Sequence, residues 1–341
     1  MRRALAFTVS TVVIATAALV LVLDMSHVDI ARALAALWSG AFGSTDAILS
    51  STLVRATPLL LAGLAVALAF RAGVWNIGAE GQLIAGAAAA AAVGLACAGL
   101  PRPIGLIVAL TASAVAGSLW AGIAAELRRR FGVLEVISTI MLNFIALHLV
   151  GYLVRGPMQE PTHIYPQSAS LPAVVRLPIV STGSRLHAGF LIALVAAGAM
   201  WWIMRATAAG FRVRASGANA HAARVSGRID VVRTTTGAFL VSGALAGLAG
   251  GVEVTGVTFA LYENLSPGYG YTAIAVALLA RLDALGVVAA AILFGALESG
   301  ALAMQRDAGA PAVIVTTIEA LLILAVVAAA RWRVPGAGQP T

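Results

Sequence analysis

Apolar residues along this chain gather into long runs of membrane-spanning length, divided by short stretches of glycine, proline and charge. The pattern predicts ten helices, at Ala4–Leu23, Thr52–Phe70, Leu83–Leu100, Ile104–Ala125, Val133–Val154, Ala188–Met204, Thr234–Val254, Tyr271–Ala280, Gly286–Met304 and Ala312–Ala330. The eighth has a short apolar core and borrows part of the preceding loop. Basic residues and then about 20 apolar residues at the N-terminus mimic a signal peptide. No clear small-residue cleavage site follows, and the segment reads as an uncleaved first helix. The expected fold is all-α: a polytopic membrane protein, residues 1–341 forming one transmembrane domain.

Between the second and third runs the pattern breaks. Phe70 to Gly86 reads FRAGVWNIGAEGQLIAG, with Asn76, Glu80 and Gln82 set among Gly73, Gly78 and Gly81. A carboxylate and two amides between spans are costly unless they pair or line a polar cavity. Non-helical backbone at membrane depth is tolerated only where protein buries it or water reaches it. The segment therefore suggests a transport path, with Glu80 either facing that path or paired with Arg71. A second break, SPGYGY, places Pro267, Gly268 and Gly270 ahead of the eighth run, a half-helix pattern found at transporter sites. Tyr269 and Tyr271 beside it serve either as an interface belt or as a stacking surface for a flat or sugar-like solute.

Composition narrows the class. Of 341 residues, 60% are hydrophobic and 11% charged, and the mean hydropathy is +0.96. Soluble domains carry about 25% charge. All 22 basic residues are arginine, and the net charge is +8. In a membrane protein such an excess marks cytoplasmic loops and does not require nucleic acid. With the N-terminus inside and the ten segments alternating, 15 arginines fall inside and 7 outside. The bias places both termini in the cytoplasm. The single cysteine, Cys97, allows no intrachain disulfide and no cysteine metal cluster.

Two loops are long. Residues 156–187, expected outside, hold five prolines and should be irregular. Residues 205–233, expected inside, hold Gly217 and Asn219 before the run Ala220–Val225, with Gly227 after it. Asparagine caps helix starts and glycine ends helices, so a two-turn helix is expected there. It is either a positively charged inside loop or a docking helix that transmits motion from a cytoplasmic partner.

Other polar positions sit in the spans. Glu135 and Asn143, eight residues apart, share much of one helical face. Glu135 suits a pair with Arg128–Arg130, and Asn143 suits either a helix–helix bond or the path itself. Gly243, Gly247 and Gly251, at four-residue spacing, report close helix packing. No Walker A, HExxH or GxSxG sequence is present, and the five histidines are scattered. No catalytic residue, cofactor or metal site is expected, so active transport would draw on a partner or an ion gradient. A secondary transporter would need buried acids such as Glu298 and Glu319. A membrane enzyme would need a catalytic cluster.

These motifs resemble the permease subunits of bacterial ATP-binding-cassette (ABC) importers, specifically the nucleoside and simple-sugar (branched-chain amino acid/ribose-type) family. Asn76–Gln82 is similar to its N-I-G-x-E-G-Q signature, and Glu135–Asn143 to its E-V-I-x-T-I-M-L-N helix. Gly217–Gly227 with Ser242–Gly247 resembles its coupling region, and Tyr269–Leu279 matches too. The first two motifs point to the nucleoside branch. The resemblance implies a permease in the bacterial inner membrane, carrying nucleosides or, alternatively, a simple sugar such as ribose or galactose. It implies a second permease (paralogue or identical chain), a separate ABC ATP-binding subunit docked on residues 205–233, and an extracytoplasmic solute-binding protein at residues 156–187. Expected path residues are Asn76, Glu80, Gln82, Asn143 and Tyr269. Expected coupling residues are Gly217, Asn219, Arg224 and Gly227. Membrane lipid is an expected partner and nucleic acid is not.

Overall fold

The computed structural model describes residues 28–311 together with residues 317 and 320. The first predicted span, Ala4–Leu23, lies outside the described residues, as does nearly all of Ala312–Ala330 and with it Glu319. The chain divides into two compact units, Met1–Ala56 with Ile292–Thr341 and Thr57–Ala291.

Among the described residues the helices are α1 (Ile30–Phe42), α2 (Leu53–Arg71), α3 (Ala79–Ala96), α4 (Arg102–Phe131), α5 (Glu135–Arg155), α6 (Gly189–Ala206), α7 (Ala208–Ala218), α8 (Ala220–Ser226), α9 (Val231–Glu253), α10 (Tyr269–Leu279) and α11 (Ala284–Ala308). A π-helical turn, Ala47–Thr52, leads into α2, and another, Val254–Thr258, extends α9. The β structure among the described residues is two isolated bridges, Gln167 with Tyr262 and Ile179 with His187. Among the described residues seven helices are long and apolar enough to cross a membrane, where eight of the ten expected spans fall. Seven of the predicted segments correspond to them. The eighth, α10, has only 11 residues, about 16 Å of helix, or half of a ~30 Å hydrocarbon core. Helix α1 escaped the sequence reading; the Asp29 carboxylate caps it through Arg32 N (3.1 Å).

In the first unit Ala33, Ala36, Met304 and Ala310 form an apolar cluster. Arg55 lies 4.0 Å from Glu298, so this acid has a cationic partner.

In the second unit α2 is central, and Leu59, Leu60, Leu61 and Leu64 are fully buried. Helix α9 packs against α3 and α4 through small residues. A Cβ on Gly247 would overlap the Ser113 carbonyl oxygen, and one on Gly250 would overlap the Leu83 carbonyl. The facing stripe on α4 includes Ser113, Gly117 and Ala121, all buried. Dispersion and close backbone approach hold such a crossing where lipid supplies no hydrophobic drive. The outer faces of α4 and α5 carry exposed apolar side chains, among them Ile107, Leu119, Ile137 and Phe144. That is the pattern of a surface meeting lipid or another subunit. Residues 156–187 are irregular, with one short 3-10 turn at Ala173–Val175.

Candidate functional site: two facing helix N-termini

The polar residues of the Phe70–Gly86 segment build a fastening around two helix starts. After α2 ends at Arg71, the chain runs without helix through residues 74–77 and begins α3 at Ala79. Asn76 and Gln82 exchange amide bonds: Asn76 Nδ2 donates to Gln82 Oε1 (2.9 Å), and Gln82 Nε2 donates to Asn76 Oδ1 (3.0 Å). Asn76 Nδ2 also donates to Ser242 Oγ (2.8 Å), whose hydroxyl donates to the Ala65 carbonyl (2.6 Å). Gly78 N donates to Asn76 Oδ1 (3.0 Å). The cluster thus ties α2, α3 and α9 together. Asn76 and Ser242 are 0% exposed and Gln82 is 1% exposed, and the amides turn inward.

Asn143 completes the start of α3 from α5. Its Oδ1 accepts from Gly81 N (2.8 Å), while Nδ2 donates to the Ile77 carbonyl (2.9 Å) and to Tyr271 Oη (3.3 Å). Asn143 lies eight residues into α5, about 12 Å from that helix's first residue. The non-helical backbone at Ile77–Gly78 therefore meets α5 about two turns in from its start, and every polar atom named here has a partner, as buried irregular backbone requires.

Glu80 fastens the second helix start. Its Oε2 accepts from Gly270 N (2.6 Å) in the first turn of α10, and Ser266 hydrogen-bonds the same carboxylate. Ser266 Oγ also accepts from Tyr269 N (3.0 Å). A carboxylate at a helix N-terminus satisfies free N–H groups and complements the helix dipole. The approach is close enough that a Cβ on Gly270 would overlap Glu80 N, which accounts for glycine at that position. Arg71 is thus not the partner of Glu80. The backbone N–H at position 270 and the Ser266 hydroxyl take that role, because the carboxylate sits in the first turn of α3 while Arg71 ends α2.

Of the two tyrosines, Tyr269 is 5% exposed and Tyr271 is 44% exposed. Asn76, Glu80, Gln82 and Asn143 form one connected region with α10, and Tyr271 is its outward-facing aromatic. Arg128 Nη1 pairs with Glu135 Oε1 at 2.8 Å, which gives Glu135 the interfacial role.

The sequence has relatives. Residues 48–330 match the family described as branched-chain amino acid transport system, permease component. The guanosine ABC transporter permease protein NupP of Bacillus subtilis is 42% identical over 317 residues, 92% of this chain and 90% of that protein. The glucose ABC transporter permease protein TsgB13 of Haloferax volcanii is 42% identical over 288 residues, 81% of this chain and 75% of that protein. The nucleoside ABC transporter permease protein NupB of Lactococcus lactis is 32% identical over 297 residues, 84% of this chain and 80% of that protein. No solved structure matches the chain. The chain belongs to this family of ABC transporter permeases. It is a multi-pass membrane protein.

The permease's 205–233 loop contains the expected short helix, α8. Asn219 Oδ1 accepts from Ala222 N (2.9 Å), and Gly227 follows the helix, its N–H donating to the Ala223 carbonyl (3.2 Å). Ala223 is buried with Ile229 and Val231, while Arg224 and Val225 face outward. Gly217 lies directly on the chain after α2: a Cβ there would overlap the Arg71 carbonyl oxygen. The loop therefore touches the backbone that leads into the Asn76 segment.

At the opposite end of α5 an open cavity of about 600 Å³ is lined by residues including His148, Tyr152, Arg155, Glu263 and Asn264. Arg155 and Glu263 pair at 2.6 Å. Sequence reasoning missed Ser242, Ser266 and the Tyr271 hydroxyl as parts of the site. Ser242 sits inside the glycine-rich stretch of α9 and reads as packing. Ser266 gives only the signal of a small polar residue before a helix start.

Proposed function

We propose that this permease forms the translocation path for nucleosides in an ATP-driven importer, working as a single transmembrane domain over residues 1–341. The observation that carries the reading is Tyr271, an exposed aromatic whose hydroxyl is bonded by the Asn143 amide at the junction of two broken helices. An aromatic face suits stacking on a nucleobase, and an amide suits a neutral solute because it both donates and accepts. Supporting it are the relatives NupP, a guanosine permease, and NupB, a nucleoside permease. Asn143 and Tyr271 would meet the solute. Asn76, Glu80, Gln82 and Tyr269 would stand one layer behind and hold the non-helical segments in place. The cavity lined by His148, Tyr152 and Asn264 would be its outer mouth.

Hydrolysis of ATP would occur on a separate ATP-binding subunit docked on residues 205–233 through Gly217, Asn219, Arg224 and Gly227. A second permease, identical or a paralogue, would complete the path. A solute-binding protein would dock at residues 156–187, and both termini would lie in the cytoplasm, as the arginine distribution suggests. A second reading, a simple sugar, draws on TsgB13, which is as identical as NupP over a smaller share of both chains. Uptake of labelled guanosine by cells with and without the gene, with excess glucose as competitor, tests the two. Uptake lost on deletion and indifferent to glucose supports the nucleoside. Unchanged guanosine uptake with glucose uptake lost would overturn it.

A further inference from the structure

At the end of the bundle that carries α7 and α8, four segments converge. Arg71 ends α2, Trp201 and Arg205 lie in the last turns of α6, Arg214 lies on α7, and Asp283 precedes α11. They line a cavity of about 180 Å³, roughly six water volumes at ~30 Å³ each. Three guanidinium groups face one carboxylate. That carboxylate is already engaged: Asp283 pairs with Arg205 at 3.7 Å and accepts from Leu285 N and Gly286 N at 3.2 Å each. Arg205 also stacks over the Trp201 ring at 5.0 Å.

Two polar atoms among the lining residues are buried without an acceptor, Arg71 Nε and Trp201 Nε1. Both are donors. Buried donors are rarely left unmet, so what these two residues call for is an acceptor rather than another donor. A suitable partner is also anionic, since Arg71 and Arg214 bring two positive charges that Asp283, paired with Arg205, does not offset. A phosphate meets both needs: its several oxygens match a guanidinium fork and still reach an indole N–H.

The surroundings choose the source of that phosphate. The lining also includes Met200, Met204 and Leu282, and neighbouring Trp202, Ile203, Phe211 and Leu285 are exposed apolar side chains. Such a rim suits acyl chains and glycerol, and tryptophan favours the membrane interface. Basic pockets between transmembrane helices are known sites for anionic lipid head groups. We propose that this cavity binds the phosphate of an anionic phospholipid at the membrane interface. The head group would pin the ends of α2, α6 and α7, next to the place where Gly217 rests on Arg71. The site is independent of which solute the permease carries.

The test is lipid retention by the assembled transporter in nanodiscs made with phosphatidylglycerol, phosphatidylcholine or both, read by native mass spectrometry after delipidation. The unchanged complex should hold a phosphatidylglycerol that survives delipidation, and millimolar inorganic phosphate should not displace it. Arg71→Gln with Arg214→Gln should lose it by about tenfold or more in affinity, the loss expected for charge-assisted bonds. Trp201→Phe, which removes one N–H and keeps the ring, should weaken retention without loss of assembly. It keeps the proposal testable if the double variant fails to fold. Arg129→Gln, at another basic helix end, should have no effect. Equal retention by the variants, equal retention of phosphatidylcholine, or occupation by free phosphate alone would overturn the proposal. So would a double variant that keeps its lipid and instead sheds the ATP-binding subunit, because the acceptor would then belong to that subunit.

Discussion

Replacing Asn143 by leucine removes three hydrogen bonds but keeps a side chain of similar size. The loss is not uniform. Gly81 N loses its acceptor at 2.8 Å in a buried position, and the Ile77 carbonyl loses its donor at 2.9 Å. Leaving a buried polar group unmet costs about 1–3 kcal/mol, so the pair is worth about 2–4 kcal/mol after partial relaxation. The third bond, to Tyr271 Oη at 3.3 Å, is longer and reaches a side chain 44% exposed, so Tyr271→Phe should cost about 0.5 kcal/mol or less. Asn143→Asp keeps an acceptor for Gly81 N and loses the donor to Ile77, and should fall between the two. Heat challenge of the purified complex, followed by size-exclusion chromatography, should rank the variants in the order Tyr271→Phe, Asn143→Asp, Asn143→Leu from most to least stable. An Asn143→Leu complex as heat-resistant as the unchanged one would refute the idea that this amide fastens α3 to α5.

Helix α9 offers two substitutions of opposite sign. Gly247→Ala on α9 places a methyl against the backbone of Ser113 and Gly117 and should cost about 1–3 kcal/mol, whereas Gly237→Ala meets nothing within 4 Å and should gain up to about 1 kcal/mol in helix propensity; equal heat resistance of the two would contradict the packing described. His187, in the loop before α6, is 1% exposed, and burial, with nearby Arg185 adding, lowers its imidazole pKa to about 4. Because this lies below the ~6.5 of an unfolded chain, its contribution is complete above about pH 6.5 and is lost as pH falls toward 4, a difference of about 3 kcal/mol. Heat inactivation followed from pH 7 to pH 4 should steepen for the unchanged chain and less so for His187→Asn; superimposable profiles would remove His187 from the account. Arg224→Glu on the exposed face of α8 should lower co-purification of the ATP-binding subunit about tenfold at low salt, and undiminished co-purification would leave that loop a charged anchor only.

The bundle was legible because long apolar runs and glycine breaks are local signals. Seven predicted segments match spans, and the Asn219-capped helix starts at the residue its cap implies. The small-residue rule also found the packed face of α9. Pairing across the chain was not legible. Glu80 meets Gly270 across 190 positions, and Asn76 meets Ser242 across 166, and no local pattern encodes either. Arg71, nearby in sequence, was a natural partner for Glu80, but the end of one helix and the start of the next face different neighbours. The tyrosines illustrate the limit at single-residue scale. Positions 269 and 271 lie about 200° apart around a helix, so one is buried when the other is exposed, and spacing alone does not say which. Helix α1 was missed because its 13 residues fall short of a spanning length.

The central claim is that solute passes Tyr271. Its most direct test uses the chain's single cysteine, Cys97, which is buried and can be replaced by alanine. In that background the Tyr271→Cys thiol should react with a small maleimide in the assembled transporter, while the Tyr269→Cys thiol should not. Guanosine should slow the first reaction and glucose should leave it unchanged. A Tyr271→Cys thiol that reacts at the same rate with and without guanosine, or that only glucose protects, would contradict the account.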